Sequence, residues 1–158
     1  MKHTLGIAEL YTSSNLQDEL ITHSLGSCLG VTIYDKKLNV GGMLHALLPL
    51  SKNDKSKADK NPAMFSDTGM QELLTQMYQL GSKKEDLIVK VAGCASPLDI
   101  EGKFKIGERN YAVFRKILWR NNILIAGEDV GGKNPRTLML NIQTGETTIA
   151  SLGQKSII

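Results

Sequence analysis

The alternation from Leu29 to Tyr34 restricts the fold more than any other stretch of the chain. Leu29, Val31 and Ile33 fall on one side and Gly30, Thr32 and Tyr34 on the other, the period of two expected of a half-buried β-strand. Asp35-Lys36-Lys37 then turns the chain into Leu38 to Leu48, an apolar return strand interrupted by Gly41-Gly42 and closed by Pro49. A hairpin is the expected outcome. It sets the strand that leaves Cys28 beside the strand that carries His45.

The remaining elements are short. Leu5 to Tyr11 and Leu20 to His23 read as strands, separated by the polar turn Thr12-Ser13-Ser14-Asn15. Ser51 to Pro62 is polar, rich in lysine and without periodicity, so an exposed loop is expected. Met70, Leu73, Leu74, Met77 and Tyr78 repeat at helical spacing, with Ser66 or Asp67 as cap and Gly81 as stop. Leu87 to Ala92 reads as a central strand, ended by Gly93-Cys94-Ala95-Ser96-Pro97. A second helix is expected over 107–121, with Ala112, Val113, Ile117 and Leu118 buried and Arg109, Arg115, Lys116 and Arg120 wet. Ile123 to Ala126, Thr137 to Ile142 and Glu146 to Ala150 complete the strands, the last two joined by Gln143-Thr144-Gly145.

This pattern describes one α/β (α+β) domain over residues 1–158, a sandwich of short, largely antiparallel or mixed strands covered by two main helices. A doubly wound nucleotide fold is disfavoured, because strands and helices do not alternate regularly. With 158 residues the chain buries enough core to fold without metal or disulfide. Its 19 basic and 16 acidic residues give a net charge of +3, and the densest lysine group, Lys52 to Lys60, is interleaved with Asp54 and Asp59 and lacks aromatics. Nucleic-acid binding is therefore not expected. Two cysteines without C-x-x-C spacing fit a reduced cytoplasmic setting. No apolar run approaches the ~18 residues of a membrane span, and neither a signal peptide nor direct membrane insertion is expected. No metal-ligand spacing or cofactor motif is present. Gly131-Gly132-Lys133 reads as a turn rather than a phosphate-binding loop, and the adjacent Glu128 and Asp129 as residues that point apart.

The chemistry lies in Thr22-His23-Ser24-Leu25-Gly26-Ser27-Cys28 and Gly41-Gly42-Met43-Leu44-His45. A cysteine behind small residues, with a histidine on the adjacent strand, is the minimum for a thiolate nucleophile and its base. Gly26 and Ser27 permit a tight turn that aims backbone N–H groups at a carbonyl oxygen, an oxyanion hole. Each residue also has a plain structural reading: Cys28 as a core cysteine, His45 as a strand histidine satisfied by a carbonyl, Thr22 as a strand former. Of the other histidines, His3 falls at a frayed terminus and His23 on the opposite side of its strand from Thr22. Cys94 reads as a small core residue.

These motifs resemble those of the CheD family, the chemoreceptor glutamine deamidases of bacterial and archaeal chemotaxis. The likeness extends through Gly41 to Pro49, Phe65-Ser66-Asp67-Thr68, Lys90-Val91-Ala92-Gly93, Ile106-Gly107-Glu108-Arg109-Asn110 and Gly127 to Gly132, in order over nearly the whole chain. The resemblance implies Cys28 as nucleophile, His45 as base and Thr22 as the residue that orients it. It implies a protein-glutamine glutaminase in an α/β sandwich similar to the catalytic domain of cytotoxic necrotizing factor toxins. It also implies a chemoreceptor cytoplasmic domain as substrate and the CheC phosphatase as a partner, with the lysine-rich loop and the Gly131-Gly132 turn as contact surfaces. Two positions depart from the family pattern: His23, and Cys94 where a second glycine is common. A non-catalytic adaptor for receptor or CheC, and a general cysteine peptidase or thioesterase, are the competing readings.

Overall fold

A computed structural model describes residues 1–96 and 104–158. Among the described residues ten strands form two five-stranded sheets. The outer sheet runs β1 (Lys2–Leu5), β3 (Glu19–Leu25), β8 (Arg136–Asn141), β9 (Thr147–Ser151), β10 (Gln154–Ile157) in spatial order. The central sheet runs β2 (Glu9–Ser13), β5 (Val40–Ala46), β4 (Leu29–Asp35), β6 (Leu87–Gly93), β7 (Ile125–Val130). Pairing is antiparallel except at β1/β3 and β6/β7, which gives the mixed sandwich expected from the sequence. Helices α2 (Ser66–Gln79) and α3 (Ile106–Arg120) cover the far side of the central sheet.

The central hairpin is the one read from the alternation, but it is more deeply set. Every residue of β4 and β5 is buried, because sheet covers one face and helices the other. Leu29, Val31 and Ile33 join Met70, Leu73, Met77 and Phe114 in the core beneath the helices. On the other face Tyr34 and Met43 meet Leu20, Leu138 and Leu140 in a second core between the sheets. Thr32 and Thr147 share a hydrogen bond of 3.0 Å across this seam. The hydrophobic burial of the two cores, about 25 cal/mol per Å² of apolar surface, is what holds three layers together.

Several segments differ from the sequence reading. Leu5 to Tyr11 is two strands in different sheets, separated by Ala8 in a left-handed conformation (φ 63°). Thr12 and Ser13 belong to β2 rather than to a turn. His3 is held in β1 rather than frayed, stacked on Tyr11 and 3.1 Å from Asp18. The lysine-rich stretch contains a short helix, α1 (Lys55–Lys60), whose first turn is capped by Asp54 accepting from the Lys57 N–H. Phe65 is the N-cap of α2 and Ser66 donates to Asn110 instead of capping, while Asp67 accepts from the Thr68 N–H in the first turn as well as from Ser51. Gly81, at φ 102°, does end that helix. In α3 the buried residues are Gly107, Asn110, Phe114, Ile117 and Leu118; Ala112 is exposed and Val113 half-buried. Ile123 and Leu124 precede β7 instead of opening it, and β10 follows β9. Pro97 lies outside the described residues.

Two glycines set how closely the layers approach. Gly93 has φ 95°, and a Cβ there would stand 2.4 Å from the Cys28 carbonyl oxygen. A Cβ on Gly107 would stand 2.4 Å from the Ala95 carbonyl oxygen, so α3 can begin only as glycine lets it, directly over the end of β6.

Candidate active site

Strand pairing brings the named residues to one end of the seam. His45 on β5 lies opposite Gly30 on β4, and Cys28 sits two residues before Gly30 at the mouth of the strand. Cys28 and His45 are thus diagonal neighbours on one face, positions whose Cα atoms are roughly 7–8 Å apart in an antiparallel pair. Thr22 reaches the same region from β3 in the facing sheet. All three side chains are buried.

The hydrogen bonds around Thr22 decide the state of the imidazole. Thr22 Oγ1 lies 2.8 Å from the Leu5 carbonyl oxygen and 2.6 Å from His45 Nδ1. A carbonyl only accepts, so the single hydroxyl proton goes to Leu5 and the threonine oxygen accepts from His45. Nδ1 therefore carries the ring proton and Nε2 a bare lone pair. Nε2 is buried without a hydrogen-bond partner among the described residues, so Cys28 does not bond to it in this state. Such contacts are commonly long in free enzymes and tighten with substrate.

Burial favours the neutral form of both Cys28 and His45. His45 is pushed down to about 4 because desolvation opposes the imidazolium, a tendency that nearby Glu9 offsets in part. The Cys28 thiol is pushed up by the same cause, while its own backbone N–H favours the thiolate. The site thus holds a neutral thiol beside a neutral imidazole.

The approach to Cys28 is built from backbone rather than from glycine freedom. Left-handed geometry falls at Ser24 (φ 59°), within a break in the β3/β8 register between Thr22 and Leu25. Gly26 accepts from the Ala95 N–H at 2.8 Å, Ser27 accepts from Asn110 Nδ2 at 2.9 Å, and Cys28 accepts from the Cys94 N–H at 2.8 Å. Gly26 and Ser27 are thus tied on their carbonyl sides. His23 is exposed and sits 3.3 Å from Thr137, on the side away from Thr22. Glu128 and Asp129 point apart as expected, Glu128 to Tyr111 and Asp129 to Arg136. Asn110, which the sequence reading did not single out, is fully buried against the Cys28 approach. Its signals in the sequence are its place in the Ile106 to Asn110 motif and its position one helical turn after Gly107.

The family model for CheD chemotactic sensory transduction matches residues 47–151. The chain belongs to the CheD family. A relative from Syntrophus aciditrophicus, named probable chemoreceptor glutamine deamidase CheD 1, is 47% identical over 149 residues, 94% of this chain and 93% of that protein. Another CheD, from Solibacter usitatus and named probable chemoreceptor glutamine deamidase, is 43% identical over 98% of this chain and 92% of its own length. An archaeal CheD of the same name, from Pyrococcus horikoshii, is 39% identical over 87% of this chain and 85% of its own. Cys94, just past the end of β6, has φ 52°. Its backbone is the left-handed one that glycine adopts without strain.

Proposed function

We propose that this chain is a chemoreceptor glutamine deamidase in which Cys28 is the nucleophile, His45 the general base and acid, and Thr22 the residue that holds the base in its working tautomer. The observation that carries this reading is the Thr22 bridge. It consumes the threonine proton on Leu5 and leaves His45 with one free, buried lone pair at Nε2.

The reaction follows from that arrangement. His45 Nε2 takes the proton of Cys28 as the sulfur bonds to the side-chain amide carbon of a receptor glutamine. The amide oxygen gathers the negative charge, stabilised by backbone N–H groups at the Ser27–Cys28 turn. As the tetrahedral intermediate collapses, the C–N bond breaks and the imidazolium protonates the departing nitrogen, releasing ammonia. His45 next removes a proton from water, which adds to the thioester carbon. Collapse returns the sulfur as a thiol and leaves glutamate. Each turnover replaces a neutral amide with a carboxylate on the receptor.

The CheC phosphatase is the second partner we propose, and the cytoplasm the compartment; no helix among the described residues is long and apolar enough to cross a membrane. Incubating a receptor cytoplasmic fragment with the protein and with Cys28→Ala, followed by peptide mass spectrometry, tests the reading. Conversion of glutamine to glutamate is expected with the native chain alone. Equal conversion by both removes Cys28 as nucleophile, and conversion by neither favours the adaptor.

A further inference from the structure

Asn110 connects three distant segments at the back of this site. Its Nδ2 donates to the Ser27 carbonyl at 2.9 Å and to the Leu47 carbonyl at 3.2 Å, and its Oδ1 accepts from Ser66 Oγ at 2.9 Å. Two carbonyls can only accept, so the orientation of the amide is unambiguous. Ser27 immediately precedes the nucleophile, and Leu47 stands two residues past the base. Ser66 is itself anchored, its N–H donating to the Leu48 carbonyl at 2.7 Å. Asn110 reaches this point because α3 begins over the end of β6, where only glycine fits at position 107.

The bond to Ser27 has a consequence on the other side of the peptide. In a planar trans peptide the C=O and the following N–H point in opposite directions. Holding the Ser27 carbonyl against α3 therefore directs the Cys28 N–H away from α3. The same N–H favours the thiolate of Cys28. We propose that Asn110 is a positioning residue that sets the Ser27–Cys28 peptide so that the Cys28 N–H serves as an oxyanion donor. Without this clamp the peptide is free to rotate, and the donor leaves the place where charge develops. An asparagine is required by the chemistry: an aspartate of the same shape would set an oxygen against two carbonyl oxygens. The inference rests on the deamidase reading for its natural substrate but concerns any reaction at Cys28 that passes through an oxyanion.

The test compares two reactions at Cys28. Acylation by p-nitrophenyl acetate builds an oxyanion, whereas alkylation by iodoacetamide does not. In Asn110→Asp and Asn110→Ala, checked for folding by circular dichroism and thermal melts, acylation is expected to slow by ~10²-fold, the usual effect of losing one oxyanion donor. Alkylation is expected to keep its rate and pH profile. Ser66→Ala retains both Asn110 donors and frees only its acceptor, so it serves as the milder variant should the others fail to fold; acylation is expected to fall severalfold with alkylation again unchanged. Equal losses in both reactions would reduce Asn110 to a structural tie, and unchanged acylation in a folded variant would overturn the proposal. A native chain that is acylated at Cys28 but leaves receptor glutamines intact would overturn the deamidase reading alone.

Discussion

The two cysteines stand at the same end of neighbouring strands, joined by the hydrogen bond from the Cys94 N–H to the Cys28 carbonyl, yet they occupy different chemical worlds. Cys28 faces the seam between the sheets, with His45 diagonal to it and Thr22 beyond. Cys94 belongs to the core beneath the helices, where burial pushes its thiol up to about 12. Both are nearly inaccessible, so exposure does not separate them. Sheet face does: a base with a free lone pair lies on one side of the central sheet, and hydrocarbon on the other.

The sharpest way to break this contrast is to delete each sulfur in turn. Cys28→Ala should lower receptor deamidation by at least ~10⁴-fold, as removal of a covalent nucleophile does in comparable triads. Cys94→Ala should leave the rate of the same order. Ammonia release in a coupled assay reads both.

His45→Gln should lower kcat by ~10²–10⁴-fold, the range for loss of a general base. It should also change the pH dependence of stability. His45 has a folded value of about 4 against 6.5 unfolded, so the unfolded chain binds the extra proton between those limits. Its contribution is complete above pH 6.5 and is lost as pH falls toward 4, about 3 kcal/mol in all. Urea melts of His45→Gln across that window should lack this component.

Thr22→Val keeps the shape of the side chain but removes the oxygen that accepts from Nδ1. A loss of ~10–100-fold in kcat is expected, the scale of effects when a histidine loses the group that orients it. The smallest effect concerns Cys94. A non-glycine residue in the left-handed region costs about 1–2 kcal/mol, so Cys94→Gly should melt no lower than Cys94→Ala even though it removes more side chain. A Cys94→Gly variant well below Cys94→Ala would show that this backbone carries no strain.

The legible part of the site was the part written in local periodicity. The alternation at Leu29 to Tyr34 and the turn at Asp35 predict the hairpin, and the hairpin alone sets Cys28 near His45. Thr22 as partner of His45 was implied only by resemblance, because nothing local says which strands face each other across a seam. Asn110 entered as the last residue of the Ile106 to Asn110 motif, with no role attached to it. Its partners Ser27, Leu47 and Ser66 are 83, 63 and 44 residues away. A polar side chain within a helix rich in arginine reads as surface until the two carbonyls that bury it are known. The break at Ala8 was hidden for a related reason, since Leu5 to Tyr11 is apolar enough to pass for one strand while its halves join different sheets.

In the proposed reaction the cysteine facing the seam forms the covalent intermediate. Rapid mixing with a receptor cytoplasmic fragment, acid quench and peptide mapping would locate the thioester directly. The account predicts an acyl adduct on the peptide containing Cys28, absent from Cys28→Ala. An adduct on Cys94, or receptor glutamine converted by Cys28→Ala at the native rate, would contradict it.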